Sequence, residues 1–211
     1  MRKYERRLPH WDIVGKPLFV TFRLHGSLPA RRIFPPERMA SSGKAFVAMD
    51  RLLDRGTSGP LFLRRPEIAE RVVAGLLHGD CQLHRYQLHA FVVMPNHVHM
   101  LVTPSVVATR WLGPLKGFTS YQANELLGTH GRAFWQDESY DHLVRDGPEF
   151  ERIRGYIERN PVTAGLVAAR PSGFHSRALG RTPPKRRRSQ NWLPHKGGGR
   201  RSKFLWGRQV A

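Results

Sequence analysis

Residues 94–102 read Met-Pro-Asn-His-Val-His-Met-Leu-Val, and they decide how the rest of the chain is interpreted. In a strand, successive side chains point to opposite faces, so His97 and His99 would share one face while Val98 and Met100 share the other. Neutral imidazole is a common metal ligand, and two neighbouring imidazoles can occupy two positions around one ion. A bare His-x-His is more often a half-buried strand with two hydrogen-bonded histidines, so other segments have to decide between these interpretations.

Strand patterns surround this stretch. Residues 86–93 are apolar and aromatic and lead through Pro95-Asn96 into the histidine strand, which predicts an antiparallel pair. Residues 18–24 are β-branched and aromatic and stop before Gly26, which predicts the first strand. An alternating pattern within residues 135–145 indicates a further strand. The polar and basic residues 1–17 are predicted to form an arm or approach loop.

Apolar residues at helical spacing predict four helices, at residues 44–53, 66–77, 115–127 and 148–160. Pro66-Glu67 suits the first turn of the second helix, because proline is preorganised there and an acid complements the positive helix end. Gly113 and Pro114 are expected to delay the start of the third helix. Asn160-Pro161 is expected to end the fourth.

The charge of the chain is strongly positive. Its 211 residues include 35 Lys and Arg against 16 Asp and Glu, giving a formal net charge of +19, and thirteen of the basic residues follow Glu158, the last acid. Such an excess indicates a polyanionic partner. We expect one domain at residues 1–178, and a basic, disordered tail at residues 179–211, where hydrophobic periodicity is lost.

The cellular location can also be predicted from composition. The single cysteine, Cys81, excludes an intramolecular disulfide framework and fits a reducing cytoplasm. No apolar run follows the basic N-terminus, and no stretch approaches the ~18 apolar residues that span a bilayer. We therefore expect a cytoplasmic, nucleoid-associated protein without a membrane partner.

The helix predicted at residues 148–160 carries a second set of polar side chains. On a helical wheel, Tyr156 and Asn160 form an i, i+4 pair at the edge of the buried stripe that contains Ile157. A phenol and an amide could therefore face the histidines, although Tyr156 could also be a packing residue and Asn160 a helix cap. Spacing alone favours Tyr121, which has Glu125 four residues on, as strongly as Tyr156. Tyr140 alternates with His142 and is a third candidate.

Several segments together resemble those of one-tyrosine HUH transposases. They are His97-Val98-His99, Lys116-Gly117-Phe118-Thr119, Phe134-Trp135-Gln136-Asp137-Glu138-Ser139-Tyr140-Asp141-His142 and Tyr156-Ile157-Glu158-Arg159-Asn160-Pro161-Val162-Thr163-Ala164-Gly165-Leu166-Val167. The REP-associated tyrosine transposase branch is the most similar, since its N-terminal segment also resembles residues 7–11 and 19–24. The resemblance covers about residues 6–178 in the right order, and the combination is more specific than any single motif.

The resemblance implies a role for each matching residue. His97 and His99 would bind a divalent metal with Asn160 as the third ligand, and Tyr156 would be the nucleophile. Tyr121 and Tyr140 would then have structural or DNA-contact roles. The implied fold is α+β, a ferredoxin-like antiparallel sheet with helices packed on one face, and the predicted order of strands and helices is compatible with it.

These residue types suit phosphodiester chemistry. A tyrosine hydroxyl, with a pKa of about 10 in peptides, is a poor nucleophile unless a cation stabilises the phenolate and the scissile phosphate. Two imidazoles and an amide oxygen favour Mg²⁺ or Mn²⁺ over Zn²⁺ as the cofactor. Attack would leave a 5′-phosphotyrosine and a free 3′-hydroxyl. Because the covalent bond conserves the phosphodiester energy, rejoining needs no ATP, and the chain has no phosphate-binding loop motif.

The expected partner is single-stranded or hairpin DNA, since the tyrosine must reach an exposed phosphate. Predicted phosphate contacts are Lys116, Arg132, Arg145, Arg152 and Arg154 in the domain, and Lys185, Arg186, Arg187 and Arg188 in the tail. Four large aromatic residues could stack on bases, although core packing is the commoner role for such side chains: Trp111, Phe118, Phe134 and Trp135.

Two functions from different classes remain open at this point. The first is a metal-dependent single-stranded DNA endonuclease and strand transferase, a transposase or a relative of one, acting at hairpin-flanked sites. The alternative is a catalytically silent DNA-binding regulatory protein that retains the fold. A ribonuclease or RNA-binding protein is less favoured, because no segment matches an RNA-recognition motif. Neither monomer nor homodimer is favoured by the sequence.

Overall fold

The computed structural model describes residues 2–5, 9–28, 49–54 and 59–163. The predicted tail at 179–211 and the first half of the helix predicted at 44–53 lie outside these residues. Residues 49–54, the second half of that helix, are helical, and we call them the 49–54 helix. None of the helices in the described ranges is both long and apolar enough to cross a membrane.

Six strands and three longer helices make up the described chain. The strands are β1 (Arg2–Glu5), β2 (Pro9–Asp12), β3 (Leu18–Arg23), β4 (Tyr86–Val93), β5 (His97–Pro104) and β6 (Tyr140–Leu143), and the helices are α1 (Pro66–Cys81), α2 (Leu112–Leu127) and α3 (Gly147–Thr163). Short 3₁₀ turns precede α1 and α2 at Phe62–Arg64 and Ala108–Arg110.

The main sheet has four strands in the order β4-β5-β3-β6, and every neighbouring pair is antiparallel. Along the chain these strands alternate with helices as β3-α1-β4-β5-α2-β6, which is the split βαβ arrangement of ferredoxin-like folds. The predicted α+β, ferredoxin-like fold is therefore confirmed. β5, the histidine strand, lies in the middle of the sheet between β4 and β3.

The alternation of side chains divides the core into two parts. On one face of β5, Val98 and Met100 pack into the larger core with residues of α1 and α2 such as Val72 and Leu115. On the other face, Leu101 packs into a smaller cluster with residues of α3. β5 is consequently buried on both faces, so its hydrophobic pattern is nearly continuous rather than alternating.

The prediction that the helices pack on one face is wrong for α3. α1 and α2 cover the face of Val98 and Met100, whereas Ile157 of α3 packs with Phe19 and Leu101 on the histidine face. The reason is that β5 and β3 present apolar side chains on both faces, so both faces need a covering layer. This second layer places α3 on the same side of the sheet as His97 and His99.

Two other predictions need correction. Residues 2–5 and 9–12, predicted as part of an arm, pair as the antiparallel strands β1 and β2. α3 runs to Thr163 instead of ending at Asn160, with Pro161 inside it. A proline removes only its own N–H from the helix and clashes with one preceding carbonyl, a cost that tertiary packing can outweigh close to a helix end. Asn160 is therefore inside α3 and is not a helix cap.

Candidate active site

The two histidines of β5 are fully buried and their rings meet. His97 Nε2 lies 3.0 Å from His99 Nε2, and the ring centroids are 4.6 Å apart. Burial, followed by the neighbouring His99, holds the pKa of His97 well below its usual range. His97 is thus a neutral imidazole at neutral pH, which is the form that binds a metal ion.

Asn96 fixes which nitrogen of His97 carries the proton. The Asn96 amide Nδ2 donates to the Leu53 carbonyl at 3.0 Å, so its Oδ1, 2.7 Å from His97 Nδ1, must be an acceptor. His97 Nδ1 is consequently the donor, and Nε2 keeps its lone pair. The lone pair points toward His99 and the 49–54 helix, as it would have to in a metal ligand.

His99 is held by residues of the adjacent strand β3. Thr21, its register partner, places Oγ1 2.7 Å from His99 Nδ1. Phe19 stacks on the His99 ring at a centroid distance of 5.5 Å. The hydrogen bond through Nδ1 and the ring stacking orient Nε2 of His99 toward Nε2 of His97.

The 49–54 helix brings two carboxylates to the imidazole pair. Asp50 Oδ1 lies 3.0 Å from His99 Nε2 and 3.7 Å from His97 Nε2. Asp54 Oδ1 lies 3.9 Å from His97 Nε2. Burial, followed by the charge of Asp50, raises the pKa of Asp54 to about 7. Two acids in a dry site repel each other when no cation lies between them.

The donor set fits a divalent metal. Candidate ligand atoms of Asp50, His97 and His99 all lie within 4.8 Å of one another, and all three residues are buried. Asp50 Oδ1, Asp54 Oδ1 and Asn160 Oδ1 are buried atoms with no hydrogen-bond partner. Buried polar atoms are usually satisfied, so these oxygens indicate that a cation belongs in the site. The metal site predicted from the sequence is supported by this buried group.

Tyr156 and Asn160 of α3 lie beside the histidines. The rings of Tyr156 and His99 have a centroid distance of 5.7 Å, and Phe19 packs edge-on against Tyr156. Asn160 Nδ2 donates to the Tyr156 hydroxyl at 3.2 Å, one helical turn away. This is the i, i+4 pair predicted from the helical wheel. A donor at the phenolic oxygen stabilises the phenolate relative to the phenol.

The structure separates the other tyrosine candidates. Tyr121 is 62% exposed on α2, the helix that covers the opposite face of the sheet. Tyr140 lies on β6, opposite Thr21, and packs edge-on against Phe19. Tyr140 is therefore on the same side of the sheet as the histidines. The ring of Tyr156 contacts that of His99 directly.

The predicted phosphate contacts in the domain lie in varied surroundings. Lys116 Nζ donates to the carbonyls of Gln136 and Asp137, at 2.7 Å each, so its ammonium group ties α2 to the segment before β6. Arg145 and Arg152 pair with Glu149, and Arg154 pairs with Glu151. Arg132 is exposed. Lys185, Arg186, Arg187 and Arg188 lie outside the described residues.

Most of the predicted stacking residues belong to the core. Trp111, Phe134 and Trp135 are buried, and the Trp135 indole donates to Thr119 Oγ1 at 2.8 Å. Phe118 is 40% exposed on α2 and keeps a face available to solvent. The commoner role of large aromatic residues, packing, therefore applies to three of the four.

Three residues that contact the site were not predicted from the sequence: Asp50, Asp54 and Asn96. For Asn96, the sequence predicts only a place in the turn before the histidine strand. A signal for the acids was present, since Asp50 lies in the predicted helix at 44–53 and Asp54 follows its last residue, one helical turn on. Nothing in the sequence shows that this helix meets the histidines, because the contact spans more than forty residues of chain.

Part of the chain is similar to a known family. A family model described as "Transposase IS200 like" matches residues 64–160, which contain His97, His99, Tyr156 and Asn160. Over these residues the chain is similar to the IS200-like transposase family, and the match supports the resemblance to one-tyrosine transposases.

The chain is also similar to a solved structure described as "Structure of the REP associates tyrosine transposase bound to a REP hairpin". The two share 18% sequence identity with a TM-score of 0.44, over 80% of this chain and 77% of that chain. No curated protein matches the chain.

Proposed function

We propose that this protein is a metal-dependent, single-stranded DNA endonuclease and strand transferase that acts at hairpin-flanked sites through a 5′-phosphotyrosine intermediate. The observation that carries the proposal is the position of Tyr156, whose ring lies 5.7 Å from that of the buried His99. The match of residues 64–160 to the family model described as "Transposase IS200 like" supports it. The net charge of +19 suits a nucleic-acid substrate.

In cleavage, Tyr156 is the nucleophile and Asn160 is a hydrogen-bond donor to it. The Tyr156 oxygen attacks the scissile phosphorus, the bond from phosphorus to the 3′-oxygen breaks, and that oxygen leaves as a 3′-hydroxyl after taking a proton. The phenolic proton is lost to water, and the Asn160 amide donates to the phenolate that forms. Rejoining reverses these steps when a 3′-hydroxyl attacks the phosphotyrosine and releases the phenol.

His97, His99 and Asp50 would hold the metal, and Asn160 Oδ1 is the further ligand that the family resemblance implies. A bound divalent cation would neutralise charge on the scissile phosphate and favour the phenolate. His97 is neutral, and its contact with Asn96 places the proton on Nδ1. Nε2 can therefore bind a metal ion without first losing a proton.

A covalent adduct tests this proposal. Wild-type protein is incubated with Mn²⁺ and end-labelled single-stranded hairpin DNA from the sequences flanking its gene, and protein–DNA adducts are separated on denaturing gels. We expect an adduct with wild type and none with Tyr156→Phe. Tyr140→Phe is the matched control, since Tyr140 lies on the same side of the sheet, and it should retain the adduct. Equal adduct formation by Tyr156→Phe would show that Tyr156 is not the nucleophile.

A further inference from the structure

The 49–54 helix lies outside the residues that match the transposase family model, yet it supplies two side chains to the site. Asp50 and Asp54 are one helical turn apart and project toward the same imidazole pair. Neither the family match nor the resemblance assigns a role to these acids. Asp50 Oδ1 lies 3.0 Å from His99 Nε2, and Asp54 Oδ1 lies 3.9 Å from His97 Nε2.

The spacing of Asp50, His97 and His99 suits one metal ion, and Asp54 lies next to them. Ligand atoms bound at about 2.0–2.2 Å from a cation lie roughly 2.8–3.6 Å from their neighbours in the same coordination sphere. The distances here are 3.0 Å between the histidine nitrogens and 3.0 Å between Asp50 and His99. Asp50 and Asp54 lie 3.7 and 3.9 Å from His97. The ligand atoms of Asp50, His97 and His99 already lie within 4.8 Å of one another, so Asp54 is the side chain that has to approach for all four to bind one ion.

Hydrogen bonding alone does not satisfy these acids. Asp50 is 4% exposed, and Oδ1 of both Asp50 and Asp54 is buried without a hydrogen-bond partner. A proton shared between Asp50 and His99 would satisfy one carboxylate and leave the buried Oδ1 of Asp54 without a partner. A divalent cation between the acids and the imidazoles would satisfy both at once.

We propose that Asp50 and Asp54 are metal ligands, and that with His97 and His99 they form a two-histidine, two-carboxylate site selective for Mn²⁺ over Mg²⁺. Two carboxylates neutralise a divalent cation in this dry site. Two imidazole nitrogens favour a first-row transition metal, whereas Mg²⁺ prefers oxygen ligands and keeps several waters. The inference rests on the metal requirement of the proposed function, but it adds Asp54 to the ligands and leaves Asn160 outside the coordination sphere.

Metal binding tests the inference without measuring DNA cleavage. Mn²⁺ affinity of the full chain is measured by electron paramagnetic resonance, with calorimetry for Mg²⁺, and without DNA. We expect Mn²⁺ to bind at least about tenfold more tightly than Mg²⁺. Asp50→Asn and Asp54→Asn should each weaken Mn²⁺ binding by about tenfold or more, while Asn160→Ala should have a smaller effect. Glu70→Gln, which removes an exposed acid from α1, is the control and should bind as wild type does.

Thermal unfolding provides a second readout. Mn²⁺ should raise the Tm of wild type and of Glu70→Gln but raise it less for the two aspartate variants. Without metal, both asparagine variants should unfold at or above the wild-type temperature, because the repulsion between buried Asp50 and half-buried Asp54 is removed. Asp50→Ala and Asp54→Ala, which place no amide against the imidazoles, are measured beside them in case an asparagine variant does not fold.

The outcomes separate this inference from the proposed function. Wild-type Mn²⁺ affinity in either aspartate variant would overturn it, as would the absence of Mn²⁺ binding by wild type, or loss of binding in Asn160→Ala alone. If the aspartate variants lose Mn²⁺ but wild type forms no Tyr156 adduct, the metal site stands and the proposed function fails. If the adduct forms while the aspartate variants bind Mn²⁺ normally, the proposed function stands and the inference about the aspartates fails.

Discussion

Asn96 uses both ends of its side-chain amide, and each end connects to a different part of the site. Its Nδ2 donates to Leu53 of the 49–54 helix, and its Oδ1 accepts from Nδ1 of His97. The side chain is fully buried, so water cannot replace either partner. A single residue before the histidine strand therefore sets the protonation pattern of one imidazole and anchors the helix that carries the acids.

Replacing Asn96 should affect both folding and metal binding. Asn96→Ala leaves a buried carbonyl and a buried imidazole N–H without partners, and we expect it to lower the free energy of unfolding by about 1–3 kcal/mol. Loss of a residue that orients a metal-binding histidine should also weaken Mn²⁺ binding by about 10- to 100-fold. Denaturant unfolding and Mn²⁺ titration measure the two effects.

Asn124→Ala is the matched control. Asn124 is a buried amide on α2 that donates to the Arg132 carbonyl, away from the histidine face. Its replacement should lower the free energy of unfolding about as much as Asn96→Ala does, while the Mn²⁺ affinity stays at the wild-type value. Equal loss of Mn²⁺ binding in the two variants would mean that Asn96 acts only through overall stability.

Glu149 links the stability of the domain to pH. Its carboxylate accepts hydrogen bonds from Arg145, including the backbone N–H at 2.8 Å, and from Arg152, and it lies 3.2 Å from His142. The hydrogen bond from the Arg145 side chain is the main cause that lowers the pKa of Glu149 to about 2. Because the folded-state pKa lies below the unfolded value of 4.5, the carboxylate stabilises the fold above pH 4.5. That contribution is lost as pH falls toward 2.

Glu149→Gln should therefore lower the free energy of unfolding by about 1–2 kcal/mol at pH 7, a modest value because both arginines are largely exposed. The difference from wild type should stay constant above about pH 5 and shrink toward zero near pH 2. Urea unfolding across this pH range measures it, with Glu70→Gln expected to differ from wild type by less than about 0.5 kcal/mol throughout. A difference that grows on acidification would contradict the assignment.

At the scale of elements, α1 and α2 approach closely where Gly75 faces Thr119. A Cβ built on Gly75 would lie 2.8 Å from the Thr119 methyl carbon. Thr119 cannot rotate away without cost, since its hydroxyl donates to Leu115 and accepts from the Trp135 indole. The glycine therefore permits the contact between the two helices on the face opposite the histidines.

Gly75→Ala should destabilise the protein by about 1–2 kcal/mol, because the steric cost of overpacking exceeds the gain in helix propensity. Gly117→Ala is the control, since a Cβ there would have no atom within 4 Å. In an open helical position alanine should stabilise by roughly 0.5–1 kcal/mol. Thermal or denaturant unfolding of both variants measures whether their stabilities change in opposite directions. Stabilisation by Gly75→Ala would show that the two helices can separate at little cost.

The strands of the main sheet were more predictable than the contacts between distant elements. β4 has the predicted limits because Pro95-Asn96 and the apolar pattern both fix them. α2 begins at Leu112, earlier than predicted, because Pro114 lies in its first turn, where a missing N–H costs nothing. The predicted end of α3 at Asn160 is wrong because a proline signals a helix end only from its local effect, which packing elsewhere can outweigh. The approach of Asp50 to His99 depends on tertiary packing, which no pattern within either segment encodes.

At the scale of the whole molecule, charge is distributed unevenly. Within the domain, Arg65, Arg145, Arg152 and Arg154 pair with carboxylates, which reduces the charge that is free to bind DNA. The sequence after Glu158 contains no acid. Under the proposed function, the basic residues there contribute affinity that does not depend on DNA sequence and weakens with salt.

Replacing Lys185, Arg186, Arg187 and Arg188 together with glutamine tests this distribution. For single-stranded DNA, the logarithm of the binding constant falls with the logarithm of salt by about 0.7 per neutralised phosphate, so the slope should become shallower by roughly 3. Fluorescence anisotropy between low and physiological salt measures it. Replacing Arg186, Arg187 and Arg188 with lysine keeps the charge and should leave the slope unchanged. An unchanged slope in the glutamine variant would show that these residues do not contact phosphates.

The central position of β5 has a consequence for how the protein opens. β5 pairs with a strand on each side and is buried on both faces, whereas β6 lies at the sheet edge and pairs with β3. In deuterium oxide, backbone amides of β5 should exchange only when the whole domain unfolds, while those of β6 exchange through smaller local openings. The spacing of the two imidazoles is therefore preserved through every partial opening that leaves the centre of the sheet intact.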